Sequence, residues 1–122
     1  MSLPWVRLDT QFATNPKVLQ LIEGKNHAAL VAYICGLGYC GAHGTDGYIP
    51  VSALPFIHGT RRHAQQLVGV GLWHDTVGGF QINDWDEYQR SSIDAIERRE
   101  KAQRAALARW HPDEYKQESG MH

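Results

Sequence analysis

Two hydrophobic rhythms follow one another between Thr60 and Asp84, in the string TRRHAQQLVGVGLWHDTVGGFQIND. Ala64, Leu67, Val68 and Gly71 recur at intervals of three and four, which is one face of a helix. Thr60 is a suitable N-cap, because its hydroxyl can accept a bond from an unpaired N–H of the first turn. The pattern then changes. Leu72–Val77 and Phe80–Asp84 read as strands, and Gly78-Gly79 between them suits a primed hairpin turn. A helix followed directly by a hairpin is the second half of a winged helix-turn-helix. That order predicts a binding module, for DNA, and not an enzyme.

The upstream pattern completes the motif. Trp5–Leu8 alternates loosely, as an extended segment does. Asn15-Pro16 starts a helix, with asparagine as cap and proline at the first helical position, where its missing N–H is harmless. Lys17–Glu23 makes about two turns, and Gly24 ends them. A second helix runs from Asn26 to about His43, with Leu30, Ile34 and Leu37 as its apolar row and Val31 and Cys35 beside it. Gly36, Gly38 and Gly41 each cost such a helix roughly 1 kcal/mol against alanine, which predicts that another backbone packs closely there. Thr45-Asp46-Gly47 is a turn, and Tyr48-Ile49-Pro50 a short edge strand. Val51–Ile57 is a short helix ended near Pro55, and His58-Gly59 turns the chain into the Thr60 helix. The helix-turn-helix is therefore Val51–Ile57 followed by Arg61–Val70.

Downstream, Trp85-Asp86-Glu87-Tyr88 forms an aromatic, acidic junction. Ser91 and Asp94 make a capping-box-like start for a helix that reaches about Trp110. The residues from Pro112 onward are polar and predicted to be disordered. The expected fold class is mainly α with a small antiparallel sheet: a winged helix-turn-helix with an N-terminal extension over 1–90, a C-terminal helix over 91–110 and a flexible tail over 111–122.

Composition tempers the DNA reading. In 122 residues, 12 lysines and arginines face 13 aspartates and glutamates, for a net charge of −1. Dedicated nucleic-acid binders are usually clearly basic, so any DNA contact must come from a local patch and be salt-sensitive. No apolar run approaches a membrane span and no signal peptide is readable. Cys35 and Cys40 lie five apart on a predicted helix and point in different directions, so they are expected to be free thiols. Together these features predict a cytoplasmic protein without membrane contact.

Four strings, WVRLDTQFATNPKV, YCGAHGTDGYIP, VGVGLW and FQINDWDEY, resemble the small helix-turn-helix proteins of actinobacterial phages. Those are similar to the N-terminal winged-helix domain of phage replisome organisers and DnaD-like replication proteins. The resemblance spans roughly Trp5 to Trp110. It implies a winged-helix fold and a role in phage DNA replication or regulation inside a bacterial host cell. It brings no catalytic motif, and its strings fix no DNA-contacting position.

The residues themselves nominate the contacts. Arg62, Gln65, Gln66 and Gly69 cluster opposite the core face of the Thr60 helix, with Arg61 and His63 on the flanks. In a helix-turn-helix this face enters the major groove, where arginine pairs with guanine and glutamine with adenine. A solvated helix face would have the same composition. The wing tip has no lysine or arginine, unlike wings that insert into a minor groove, and reads as structural. On the last helix Arg90, Arg98, Lys101, Arg104 and Arg109 form a broad stripe, partly neutralised by Asp94, Glu97 and Glu100 four residues ahead of Arg98, Lys101 and Arg104. Arg99, Arg104 and Arg109 are the candidates for phosphate on this helix. Cys40, His43, His58 and His63 lack the paired spacing of a zinc site, so no metal and no cofactor are expected. Ile93, Ile96, Leu107 and Trp110 share one side of the last helix and predict a homodimer contact at its far end. Double-stranded DNA is the expected partner. The alternative is a winged-helix module that binds a host or phage replication protein and touches no DNA.

Overall fold

The computed structural model describes residues 2–110, without the side-chain surroundings of 90–93, 95 and 110. The expected tail and the side chains of Ile93 and Trp110 lie outside the described residues. Contacts divide the chain into two units, Met1–Arg90 and Ser91–His122.

In the first unit, a 3-10 turn at Phe12–Thr14 leads into α1 (Pro16–Glu23) and α2 (His27–His43). β1 (Tyr48–Pro50), a 3-10 helix (Val51–Ile57), α3 (Arg61–Val70), β2 (Trp73–Thr76) and β3 (Gly79–Ile82) follow, and α4 is Trp85–Trp110. The strands form an antiparallel sheet in the order β1-β3-β2. Tyr48 pairs with Gln81 and Pro50 with Gly79 on one side of β3, while Trp73 pairs with Ile82 on the other. This is a winged helix-turn-helix, and the proline sits on an edge strand, where a missing ladder donor is tolerated.

Local chemistry sets the boundaries. The Asn15 side chain accepts from the Lys17 N–H at 2.8 Å, so α1 starts at the predicted Asn-Pro pair. Gly44, in the left-handed region, ends α2. Ile49, Ile57, Leu67 and Trp73 are fully buried at the centre of the unit, where the sheet, the 3-10 helix, α3 and α2 converge.

Three expectations are corrected. The hairpin turn is Val77-Gly78, because Thr76 and Gly79 are paired. Only Gly78 of the two has positive φ, so the turn is not of the primed kind. Gly79 is needed one step later: a Cβ there would lie 2.2 Å from the Ile49 carbonyl oxygen, where β1 crosses closely. Second, α4 begins at Trp85, not at Ser91. Asp84 turns the chain with φ +61, and Asp86 and Glu87 place acid in the first helical turn, where it opposes the helix dipole.

Third, α2 turns a different face inward. Ala29, Ala32, Gly36, Leu37, Cys40 and Gly41 are buried, whereas Val31 is 49% and Ile34 47% exposed. Small residues go in because neighbours press on them. A Cβ on Gly36 would lie 3.0 Å from Ile49 Cδ1, and one on Gly41 would collide with Val6. Side chains, not the predicted second backbone, crowd Gly36 and Gly41, and at Gly38 a Cβ would meet nothing within 4 Å.

Candidate nucleic-acid interface

The turn between the two helices of the motif is built by backbone chemistry. His58 adopts φ +61 and ends the 3-10 helix, its N–H donating toward the Leu54 and Pro55 carbonyls. Gly59 N–H donates to the Leu54 carbonyl at 2.9 Å. Gly59 also lies against Ala32 of α2, where an added Cβ would be 3.2 Å from the alanine methyl. Thr60 then caps α3. Its hydroxyl accepts from the His63 N–H at 3.3 Å, and the Thr60 N–H donates to His63 Nδ1 at 3.2 Å. His63, read from sequence as a flank of the DNA face, is thus the second half of a capping box.

The far end of α3 is pinned as well. Gly71 closes the helix with φ +87. Its carbonyl accepts from Lys17 Nζ at 3.1 Å and from Asn83 Nδ2 at 2.7 Å. A cation near a helix C-terminus interacts favourably with the dipole. α3 is therefore held at both ends.

Its outer face carries Arg61, Arg62, Gln65 and Gly69, all exposed and within about 100° of one another around the helix axis. No acidic residue occupies the first turn. Two arginines there stand against the positive end of the helix dipole, at a cost of about 0.3–1 kcal/mol each. The combination makes a locally positive end that attracts anions. Gln66 sits differently. It is half-buried, its Nε2 donates to Asn26 Oδ1 at 3.3 Å, and its Oε1 is buried without a partner. Its amide is turned toward the α1–α2 junction and away from Arg62 and Gln65.

The wing carries exposed Asp75 on β2 and no lysine or arginine at its tip. Val77 at the tip is 94% exposed, and Tyr48 Oη donates to the Val77 carbonyl at 3.0 Å, tying the turn to β1. His74 Nδ1 contacts the Asn83 side chain at the base. In the second unit, Arg99, Arg104 and Arg109 are exposed. A five-residue spacing on a continuous helix turns each about 140° from the next, so the three do not share a face.

Other chemistry is sparse. Cys35 and Cys40 are free, and Cys40 Sγ donates to the Tyr48 carbonyl at 3.6 Å. Among the described residues no three His, Cys, Asp or Glu side chains are grouped to hold a metal, and no helix is long and apolar enough to cross a membrane. A cleft of about 80 Å³ is bordered by Arg7, Asp9, Lys17, Tyr33, Asp84 and Tyr88, well below the roughly 300 Å³ at which small-molecule pockets begin. Burial, with Tyr88 and Asp84 beside it, raises the Tyr33 phenol above its ordinary range.

One residue with no sequence signal proves central. Gln89 on α4 is only 2% exposed. Its Oε1 accepts from the Arg7 N–H at 2.8 Å and its Nε2 donates to the Arg7 carbonyl at 3.0 Å, so one amide pairs with the extended N-terminal segment as a strand would. A lone glutamine in a polar helix looks like any solvated position. Lys17 and Asn26 were equally silent, since their partners are 54 and 40 residues away in sequence. Compared with known proteins, the chain matches no family model, no curated protein and no solved structure.

Proposed function

We propose that this chain is a winged-helix DNA-binding protein of phage type, acting in DNA replication initiation or in transcriptional regulation in the cytoplasm of a bacterial host. The observation that carries the reading is the exposed Arg61-Arg62 pair at the capped N-terminus of α3, with no acid in that turn. A charge arrangement that costs the helix stability is consistent with an anionic partner. The resemblance of four strings to phage helix-turn-helix proteins supports the setting. Arg61, Arg62 and Gln65 are the proposed major-groove contacts, and exposed Gly69 leaves room for the backbone to approach. Gln66 supports the helix from behind. One or two of Arg99, Arg104 and Arg109 can meet phosphates of a single duplex, given their spread around α4. The reading needs no cofactor, metal or catalytic group.

A second reading is a protein-interaction module of the same fold, bound to a replication protein. The wing without lysine or arginine and the net charge of −1 favour it.

Titration of labelled duplexes by fluorescence anisotropy separates the two. Arg62→Ala should weaken binding by about 1–3 kcal/mol, with relaxed base preference if the side chain reads a base and a uniform loss if it holds a phosphate. Unchanged affinity for every duplex in both Arg61→Ala and Arg62→Ala would reject the α3 face and favour the protein-interaction module.

A further inference from the structure

The stretch Glu97–Leu107 of α4 is exposed at all eleven positions. A helix in a protein gains most of its stability from packing, and the acid–base pairs four residues apart along this stretch add little. Ile96, Glu100, Gln103 and Leu107 follow one another at intervals of four, three and four, the seam of a helix pair. Ile96 is half-buried and Leu107 is 40% exposed. Glu100, Gln103, Arg104 and Leu107 border one shallow groove, so these side chains share a face. An acid and an amide at the centre of the seam make it a poor seat for an arbitrary apolar segment, because covering them without polar partners is costly.

We infer that two copies of the chain pair antiparallel along this seam, about a two-fold axis between Glu100 and Gln103. The order apolar, acid, amide, apolar is complementary to its own reverse. Ile96 meets the second copy's Leu107, and Glu100 meets the second copy's Gln103. Each contact occurs twice, as a two-fold requires. Charge makes the same choice. On the flank of the seam Glu97 comes beside the second copy's Arg104, and Arg104 beside the second copy's Glu97, so two ion pairs close the contact. Glu100 also has Arg104 of its own helix one turn ahead. A parallel pair would instead set Glu100 against Glu100 and Arg99 beside Arg104, like charge on like. The far-end homodimer expected from the sequence thereby gains an orientation and a register. A polar centre fixes such a register at a cost in stability. The contact is also short, at the small end of the range for stable interfaces, so the dimer dissociates on dilution. Its seam lies off α3, and the pairing is independent of DNA.

Sedimentation equilibrium of the full chain over a range of concentrations tests it. A reversible dimer is expected. Glu97→Arg and Arg104→Glu should each raise its dissociation constant by about 10-fold or more, because each turns two attractive contacts into repulsive ones. The two substitutions together should recover most of that loss. Positions 97 and 104 stand about 10 Å apart along one helix, too far for contact within a chain, so the recovery reports a contact between copies. Leu107→Lys, at an exposed position, should weaken the dimer as well. A chain that stays monomeric at the highest attainable concentration overturns the inference. So does a dimer indifferent to the charge reversals or to Leu107→Lys, or a double variant no tighter than the weaker single one. A dimer that Arg104→Glu tightens also overturns it, since that is the response of a parallel pair.

Discussion

At the scale of single residues, stability rests on a few side chains that reach far along the chain. Gln89 satisfies both backbone groups of Arg7 from 82 positions away. Gln89→Leu roughly keeps the volume but removes both bonds to the part-buried Arg7 backbone, and each hydrogen bond lost costs about 0.5–1.5 kcal/mol. The urea midpoint should fall accordingly, with no change in the far-ultraviolet signature of the helices. Tyr33 and Cys40 give the chain an alkaline limit. Burial is the main cause raising both groups. A raised folded value means that the native state holds the proton more tightly than the unfolded chain does. The associated stability is therefore complete below the unfolded values, about 8.5 for a thiol and about 10 for a phenol, and is lost as pH rises through the higher folded ones. Stability measured between pH 8 and 11 should decline, and Tyr33→Phe should flatten the upper part of that decline. An unchanged slope in Tyr33→Phe would show that the phenol is not responsible.

At the scale of elements, the glycines separate local preference from packing. Gly38 and Gly79 look equally out of place in sequence, one inside a helix and one in an apparent turn. Around Gly38 there is open space, whereas a Cβ on Gly79 would meet the Ile49 carbonyl oxygen at 2.2 Å. Gly38→Ala should therefore stabilise dilute protein by about 1 kcal/mol. Gly79→Ala should destabilise it by about 1–3 kcal/mol or more, because β1 and β3 must separate. Thermal melts of the two variants with the same sign would refute this account. The pair also marks where periodicity stops being informative. Caps and turns named nearly every element, since Asn15-Pro16, Gly24 and Thr60 act through neighbours two to four residues away. α2 was legible as a helix but not as an oriented one. Both of its faces are apolar, and the choice between them was made by Trp73, Ile49 and Val6 pressing on Gly36 and Gly41. The start of α4 was misplaced because Ser91 is a good cap in principle, while Asp84 already turns the chain at Trp85.

At the scale of the molecule, charge decides how DNA binding should behave. The candidate face was half legible: Arg61, Arg62 and Gln65 follow from helical spacing alone. Gln66 does not, because its partner Asn26 is brought to it by the packing of α3 near the α1–α2 junction. With 12 basic against 13 acidic residues, the chain has no broad positive field, and its wing adds no cation. Few phosphates can then be neutralised. Each neutralised phosphate contributes about −0.9 to the slope of log K against log salt. If the α3 arginines supply most of the contacts, the slope should be about −2 to −3, far from the value near −10 of heavily basic binders. Replacing Arg61 and Arg62 together with alanine should bring it to about −1 or less. The measurement is an anisotropy titration of one duplex at several salt concentrations, with native and doubly substituted chains side by side. A steep slope in the native chain that survives the double substitution would place the phosphate contacts elsewhere. Arg99, Arg104 and Arg109 would then be the next set to replace, one at a time, since their spread around α4 keeps them from acting as one patch.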